Sequence, residues 1–263
     1  MMYWFCFVIC FSASVVGAIC GIGGGVIIKP ILDALGLFDV TTISFLSGCT
    51  VLSMTAYSVI RNLISKTLHV SWKTVFPLAL GAAVGGLIGK WTFDYIKACS
   101  GHPNRVGAVQ AACLMAVMIG TLTYTVRKDK VNTFQIRNSA VCALIGLILG
   151  VMSSFLGIGG GPINLVVLSF FFSMSTKEAA ENSLYIIFCS QSLRLLSTLV
   201  TGSVPSFEGN VLLLMVLGGI AGGACGRAVN KKIAAKAVDK LFIVLMGMMI
   251  LINLYDLCKY LAA

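Results

Sequence analysis

The chain has 263 residues, of which 58% are hydrophobic and 11% charged, and its formal net charge is +10. A soluble domain carries about 25% charged residues, so the composition excludes a soluble protein and leaves a polytopic membrane protein. The basic excess sits in short connections between apolar runs, which argues against a nucleic-acid partner and for topology signals and contact with membrane lipid. Ten cysteines form no Cys-x-x-Cys pair and lie mostly inside apolar runs, where they read as small hydrophobes. They support neither a disulfide framework nor a metal site, and no cofactor is called for.

In chain order, the first apolar element covers residues 3–20. It lacks a charged leading segment and its apolar run continues past any cleavage point, so it reads as a membrane element and not as a signal peptide. The string Gly21-Ile22-Gly23-Gly24-Gly25 interrupts it, and an apolar element at 26–37 follows. Glycine costs about 1 kcal/mol relative to alanine in a helix interior, so four glycines within such a string mark a break. Elements at 42–60, 74–92 and 105–126 complete the first half, and a polar stretch at 127–138 separates the halves. The second half has elements at 138–156 and 162–173 around Gly157-Ile158-Gly159-Gly160-Gly161, then at 179–201, 209–228 and 237–256. The uncharged run 138–172 holds 35 residues, about 52 Å as one helix against a hydrocarbon core of about 30 Å, so it must fold into two pieces.

The two strings are 136 residues apart. A second match, at offset 137, aligns Gly81, Gly85 and Gly89 with Gly218, Gly222 and Gly226, and a cation closes each stripe, Lys90 or Arg227. Glycine at every fourth position lets two membrane helices approach closely, so the stripes read as packing surfaces. The chain is therefore expected to be an all-α membrane protein made by duplication. Residues 1–126 form the first membrane repeat, 127–137 a cytoplasmic connection and 138–263 the second repeat. If each glycine string lay within one full crossing, eight cations would fall on one side of the membrane and ten on the other, which is no bias. If each string is the tip of a hairpin, thirteen cations, including Arg61, Lys128, Lys177 and Lys231, gather on one side. Five, Lys29, Lys90, Lys97, Arg105 and Lys259, gather on the other. That bias favours hairpins. Each half then has an odd number of elements, so the halves insert in opposite senses. The expected architecture is two inverted structural repeats, each a glycine-tipped broken helix or hairpin followed by three transmembrane helices, with both termini outside the cytoplasm.

A break in a membrane helix leaves backbone N–H groups without intrahelical partners. Lipid tolerates them only where protein or a water-filled cavity meets them. The helix that resumes points its first N–H groups and the positive end of its dipole at the break, which suits an anion, and glycine lets a solute approach the backbone. The candidate substrate-binding residues are thus Gly21, Gly23, Gly24 and Gly25 in one string and Gly157, Gly159, Gly160 and Gly161 in the other. Neither string is a dinucleotide fingerprint, because Val26 and Pro162 stand where its last glycine would be. Ser153, Ser154 and Asn164 flank the second string and join the candidate site, while Ser12, Ser14 and Lys29 flank the first. Arg194, with Gln191, Ser190 and Ser197 near it, lies about two-thirds along 179–201. A cation at that depth faces a cavity or a partner, and arginine can hold an anion bidentately. Pairing with Glu181 within the helix is excluded, since the separation is about 20 Å. Glu181, Asn182 and Ser183, and in the first half Thr41, Thr42 and Ser44, read as N-caps; Glu181 is also the candidate coupling residue. His69 and His102 fall in connecting loops, and no acid pair or His-x-x-x-His motif appears, which argues against an intramembrane enzyme.

The doubled Gly-Ile-Gly-Gly-Gly string, Pro30 shortly after its first copy, the duplicated half and the length near 260 residues together resemble the TauE/SafE family, the sulfite-exporter or toluene-sulfonate-uptake-permease group of membrane transporters. The resemblance spans essentially the whole chain. It implies transport of sulfite, sulfonates, sulfoacetate or related carboxylates. The chain departs from the family pattern in Pro162, directly after the second string, in Val166-Val167-Leu168, where the first copy's spacing would place a proline, and in Lys29, which occupies a usually apolar stretch. The expected function is a secondary transporter of small anions with an alternating-access site at the midplane between the repeats. The alternatives are an anion channel or, further off, an intramembrane enzyme. The expected partners are a small anionic solute and membrane lipid, with a homo-oligomer left open, and the expected location is the plasma (inner) membrane.

Overall fold

The computed structural model describes residues 2–36, 38–65, 73–99, 103–157 and 159–262. Its ten helices are α1 (Met2–Cys20), α2 (Gly25–Ala34), α3 (Val40–Ile64), α4 (Val75–Cys99), α5 (Pro103–Arg127), α6 (Ser139–Phe155), α7 (Gly161–Phe172), α8 (Thr176–Val200), α9 (Gly209–Lys232) and α10 (Ala235–Ala262). Among the described residues five helices are long and apolar enough to cross a membrane: α3, α8 and α9 over their full lengths, α4 over Val75–Phe93 and α10 over Ala235–Tyr255. A 25-residue helix measures about 37 Å, more than the hydrocarbon core. Leu80, Leu144, Leu213, Val244 and Leu251 lie exposed on the outside of the bundle. Such an apolar surface is stable against lipid tails and not against water.

Both glycine strings reverse the chain. In the first, Gly24 lies against Ala13, where an added Cβ would sit 3.2 Å from that residue's carbonyl. Further out, Ile28 and Leu32 of α2 share a buried cluster with Cys6 and Cys10 of α1. In the second, the amides of Phe134 and Ile136, just before α6, donate to the carbonyls of Phe170 and Phe171 at the end of α7, at 2.8 and 3.1 Å. Each long arm and its short return arm are therefore antiparallel neighbours. The connection at 127–138 is more than a polar loop. After a short 3-10 turn (Lys128–Lys130) it runs extended along the end of α7.

The glycine stripes seat each long arm on a helix of the other half. Added Cβ atoms at Gly81 and Gly85 of α4 would strike the Ala143 and Leu147 carbonyls of α6, and Gly222 and Gly226 of α9 lie against Phe11 and Val15 of α1. Contacts advance in the same direction along both partners, so α6 runs parallel to α4, and α1 to α9.

The predicted elements reappear with shifted ends. α4 and α10 continue past their apolar runs, because no glycine or proline stops them where the charged residues begin. α8 starts at Thr176, and its cap is Ser175, whose backbone N–H donates to the Glu178 carboxylate at 3.0 Å in a capping box. Glu181, Asn182 and Ser183 are therefore not caps but lie inside the helix. α3 likewise starts at Val40 after Asp39, so Thr41, Thr42 and Ser44 are also within a helix.

One end of the bundle, called the lower end here, gathers the ends of α3, α5 and α9 with the starts of α4, α6, α8 and α10. Arg227 Nε donates to Asn62 Oδ1 at 2.7 Å, and Ser139 Oγ donates to the Lys73 carbonyl at 2.8 Å. Lys128 pairs with Asp239 at 2.5 Å and also reaches Thr176 at 2.7 Å. Single cysteines placed in 127–138 and in 228–236 should thus label from one face of the membrane, and cysteines at the two termini from the other. Labelling of the two termini from opposite faces would contradict the chain reversals.

Candidate functional site

The two reversals meet. An added Cβ at Gly161, the first residue of α7, would strike the Ile22 carbonyl of the first string, and one at Gly23 would touch Val51 and Ile187 at 3.5 and 3.4 Å. Val51 and Ile187 each lie one residue from the midpoint of α3 and of α8, so the tips lie near half depth between these helices. Two adjoining cavities open beside them. Gly159, Ile187, Gln191 and Arg194 line both. The first is closed by Gly23, Gly25 and Lys29 of the first hairpin and by Ser44, Ser47 and Gly48 of α3. The second is closed by Ser153, Ser154, Gly160 and Asn164 of the second hairpin and by Ser190 and Gly86. Among the described residues, no Asp or Glu lines either cavity.

Local sequence explains the shape of the tips. Gly157, Gly159 and Gly160 take φ of 72°, 72° and 95°, and Gly21 and Gly23 take 73° and 70°, a left-handed backbone that a Cβ disfavours by about 1–2 kcal/mol. α7 starts directly at Gly161 with Pro162, whose fixed φ suits a first turn and whose missing N–H costs nothing there. The start of α2 borders the first cavity through Gly25, and the start of α7 borders the second through Gly160, so each cavity has a helix N-terminus beside it.

Polar groups are held there without partners. Asn164 is 1% exposed and Gln191 7%, yet Oδ1 of Asn164 and Oε1 of Gln191 accept no hydrogen bond among the described residues. A buried polar atom left so costs about 1–3 kcal/mol, which a bound solute can recover. Rotation of either amide exchanges its oxygen for two N–H donors. The Arg194 guanidinium donates to Ser44 Oγ at 3.0 Å, which fixes it across the cavity from α3. The Lys29 ammonium donates to the Gly157 carbonyl at 3.4 Å.

The structure thus gathers Gly23, Gly25, Gly159, Gly160, Ser153, Ser154, Asn164, Gln191 and Arg194 around the two adjoining cavities. Other candidates fall elsewhere. Gly21 packs on Ala180, Gly24 on Ala13, and Gly161 on Ile22, so these three lie at helix contacts. Glu181 lines a separate cavity toward the lower end with Ser58, Asn62, Arg227, Asn230 and Lys231. His69 and His102 lie outside the described residues. The sequence reading left Lys29, Ser44, Ser47 and Gly48 out of the site. Lys29 carried a signal, as the one cation between the first string and the end of its helix; the α3 residues carried none beyond short polar side chains in an apolar run.

Apolar helices long enough to cross a membrane, packed around two chain reversals that meet inside the bundle, fit a multi-pass integral membrane protein. The chain belongs to the sulfite exporter TauE/SafE family, whose pattern matches residues 6–253. It is also 25% identical over 247 residues to the probable membrane transporter protein YunE of Bacillus subtilis (strain 168), a match covering 86% of this chain and 88% of that one. No solved structure matches significantly. Membership of a transporter family points away from an enzyme.

The tips separate two effects of a methyl group. Gly160→Ala places a Cβ at φ 95°, 3.1 Å from Ser153 Oγ and 3.2 Å from the Asn164 amide, so it should weaken solute binding about tenfold or more with a modest loss of thermal stability. Gly24 has φ −62° and faces only α1, and Gly85 faces only α6. Alanine at either should lower the melting temperature, as overpacking by about 1–3 kcal/mol does, and leave affinity nearly unchanged. A loss of stability alone from Gly160→Ala, with affinity unchanged, would show that Gly160 too is a packing residue.

Proposed function

We propose that the protein is a secondary carrier of small anions, of the sulfite, sulfonate, sulfoacetate or related carboxylate kind, in the plasma membrane. The observation that carries this reading is the set of buried polar groups around Gly159. Two amides have unpartnered oxygens, a guanidinium is held across the cavity, and each cavity has a helix N-terminus beside it, with no acid among the described lining residues. In this site the backbone at Gly23, Gly25, Gly159 and Gly160, with Ser153, Ser154, Asn164 and Gln191, surrounds the solute. Arg194 holds its charge through two parallel N–H donors.

Alternating access between inverted repeats of residues 1–126 and 138–263 follows from the same reading. Three pairings support it. α1 with α9 matches α6 with α4, Val51 and Ile187 are 136 positions apart and flank the same glycine, and each long arm rests on a glycine stripe of the opposite half. The lower end collects the cation-rich connections and is therefore assigned to the cytoplasm. Its cavity, with Glu181 among cations and amides, is then the inner counterpart of the site, and Glu181 is the coupling candidate. A channel would share this lining but could not exchange solute for solute.

In proteoliposomes the wild type should show saturable anion uptake and counterflow. Arg194→Ala should reduce uptake to background while the protein still inserts and melts cooperatively. Arg194→Lys should rescue poorly, since a point charge lacks the fork. Glu181→Gln should keep counterflow and lose only gradient-driven accumulation. Normal uptake by Arg194→Ala would remove that residue from the site, and flux without counterflow would make the protein a channel.

A further inference from the structure

Lys29 stands out against the symmetry of the fold. The position equivalent to it in the second repeat, at the same offset of 136, is Leu165, which is 8% exposed and part of the main core. Nothing in the hairpin's architecture therefore requires a cation at this point, one turn after the tip. A half-buried ammonium inside a membrane bundle costs several kcal/mol unless something compensates it. Yet Lys29 makes no ion pair among the described residues. Its one hydrogen bond, to the Gly157 carbonyl, is long at 3.4 Å, and an ammonium has two further donors to offer. Those donors belong to a cavity that Arg194 lines from the other half of the chain.

We infer that Lys29 sets the charge of the solute: it makes this the site of a doubly charged anion, with one acidic group in the Arg194 fork and a second on the Lys29 ammonium. The inference rests on the anion-carrier reading above and adds a preference to it. A monoanion would satisfy the guanidinium and leave the ammonium without a counter-charge among the lining residues. A divalent oxyanion, or a short molecule with two acidic ends, compensates both. Lysine suits the second contact because its point charge on a flexible stem accepts either a carboxylate or a sulfonate oxygen without fixed geometry.

The test uses the full chain in lipid nanodiscs, with sulfoacetate as the dianion and ethanesulfonate as a monoanion of similar size, both titrated by calorimetry. The wild type should bind sulfoacetate about tenfold tighter or more. Lys29→Gln should lose that preference through weaker sulfoacetate binding, with ethanesulfonate affinity retained. Lys29→Arg should keep the preference, which controls for a fold that tolerates no change at this position. An unchanged ratio in Lys29→Gln, or equal weakening of both ligands, would overturn the inference and leave Lys29 as a tie between the two hairpins. It would leave the anion-carrier reading standing. Wild-type protein that binds neither anion would overturn both.

Discussion

Everything in this fold depends on how a broken helix satisfies its backbone inside lipid. Each long arm stops at half depth and exposes carbonyls that no further turn can bond. The structure meets them with amide side chains brought from other helices. Gln110 Nε2 donates to the Phe155 carbonyl at 2.9 Å, and Asn230 Nδ2 donates to the Ile19 carbonyl at 2.5 Å. Phe155 and Ile19 occupy equivalent positions, 136 residues apart, so both breaks are sealed in the same way. Helix-capping amides at these depths fix where the arms end, and the arms fix where the cavities open.

The close approach of the arms follows from the same need. An arm that ends inside the bundle cannot rely on lipid to hold it, so it is seated on glycine. The stripes on α4 and α9 let carbonyls of α6 and α1 come so near that a methyl group would strike them. Packing at that distance gives the dispersion contacts that association in a membrane relies on. Because each arm is seated on the other half, the halves are tied together, and the space between the tips belongs to neither one alone.

Much of this was legible in the sequence, because the features are local. Glycine strings, glycine stripes and the cation count all read directly, and they gave the hairpins, the packing surfaces and the end of the bundle where positive charge collects. Of the residues lining the candidate site, the sequence marks those near a string or charged at depth, such as Asn164, Ser153 and Arg194. Ser44, Ser47 and Gly48 reach the cavity through tertiary packing, and nothing in their local pattern distinguishes them from other small polar residues in apolar helices. The start of α8 was misplaced because the apolar run begins after it, although the Ser175–Glu178 capping pair was present. The two strings were read as equivalent, yet Gly24 is right-handed and Gly160 left-handed. That difference comes from what each tip packs against, Ala13 in one case and the Ser153 and Asn164 side chains in the other. Identical strings therefore take unequal conformations, and the polar side chains collect beside the second.

The most direct measurement of the central claim, that the meeting tips enclose an anion site, is a cryo-electron microscopy map of the full chain with bound sulfoacetate. Density for the anion is expected between Gly159, Gln191 and the Arg194 guanidinium, with the Asn164 amide turned toward it. Density only in the lower cavity among Arg227, Asn230 and Lys231, with the space at the tips left to water, would contradict it.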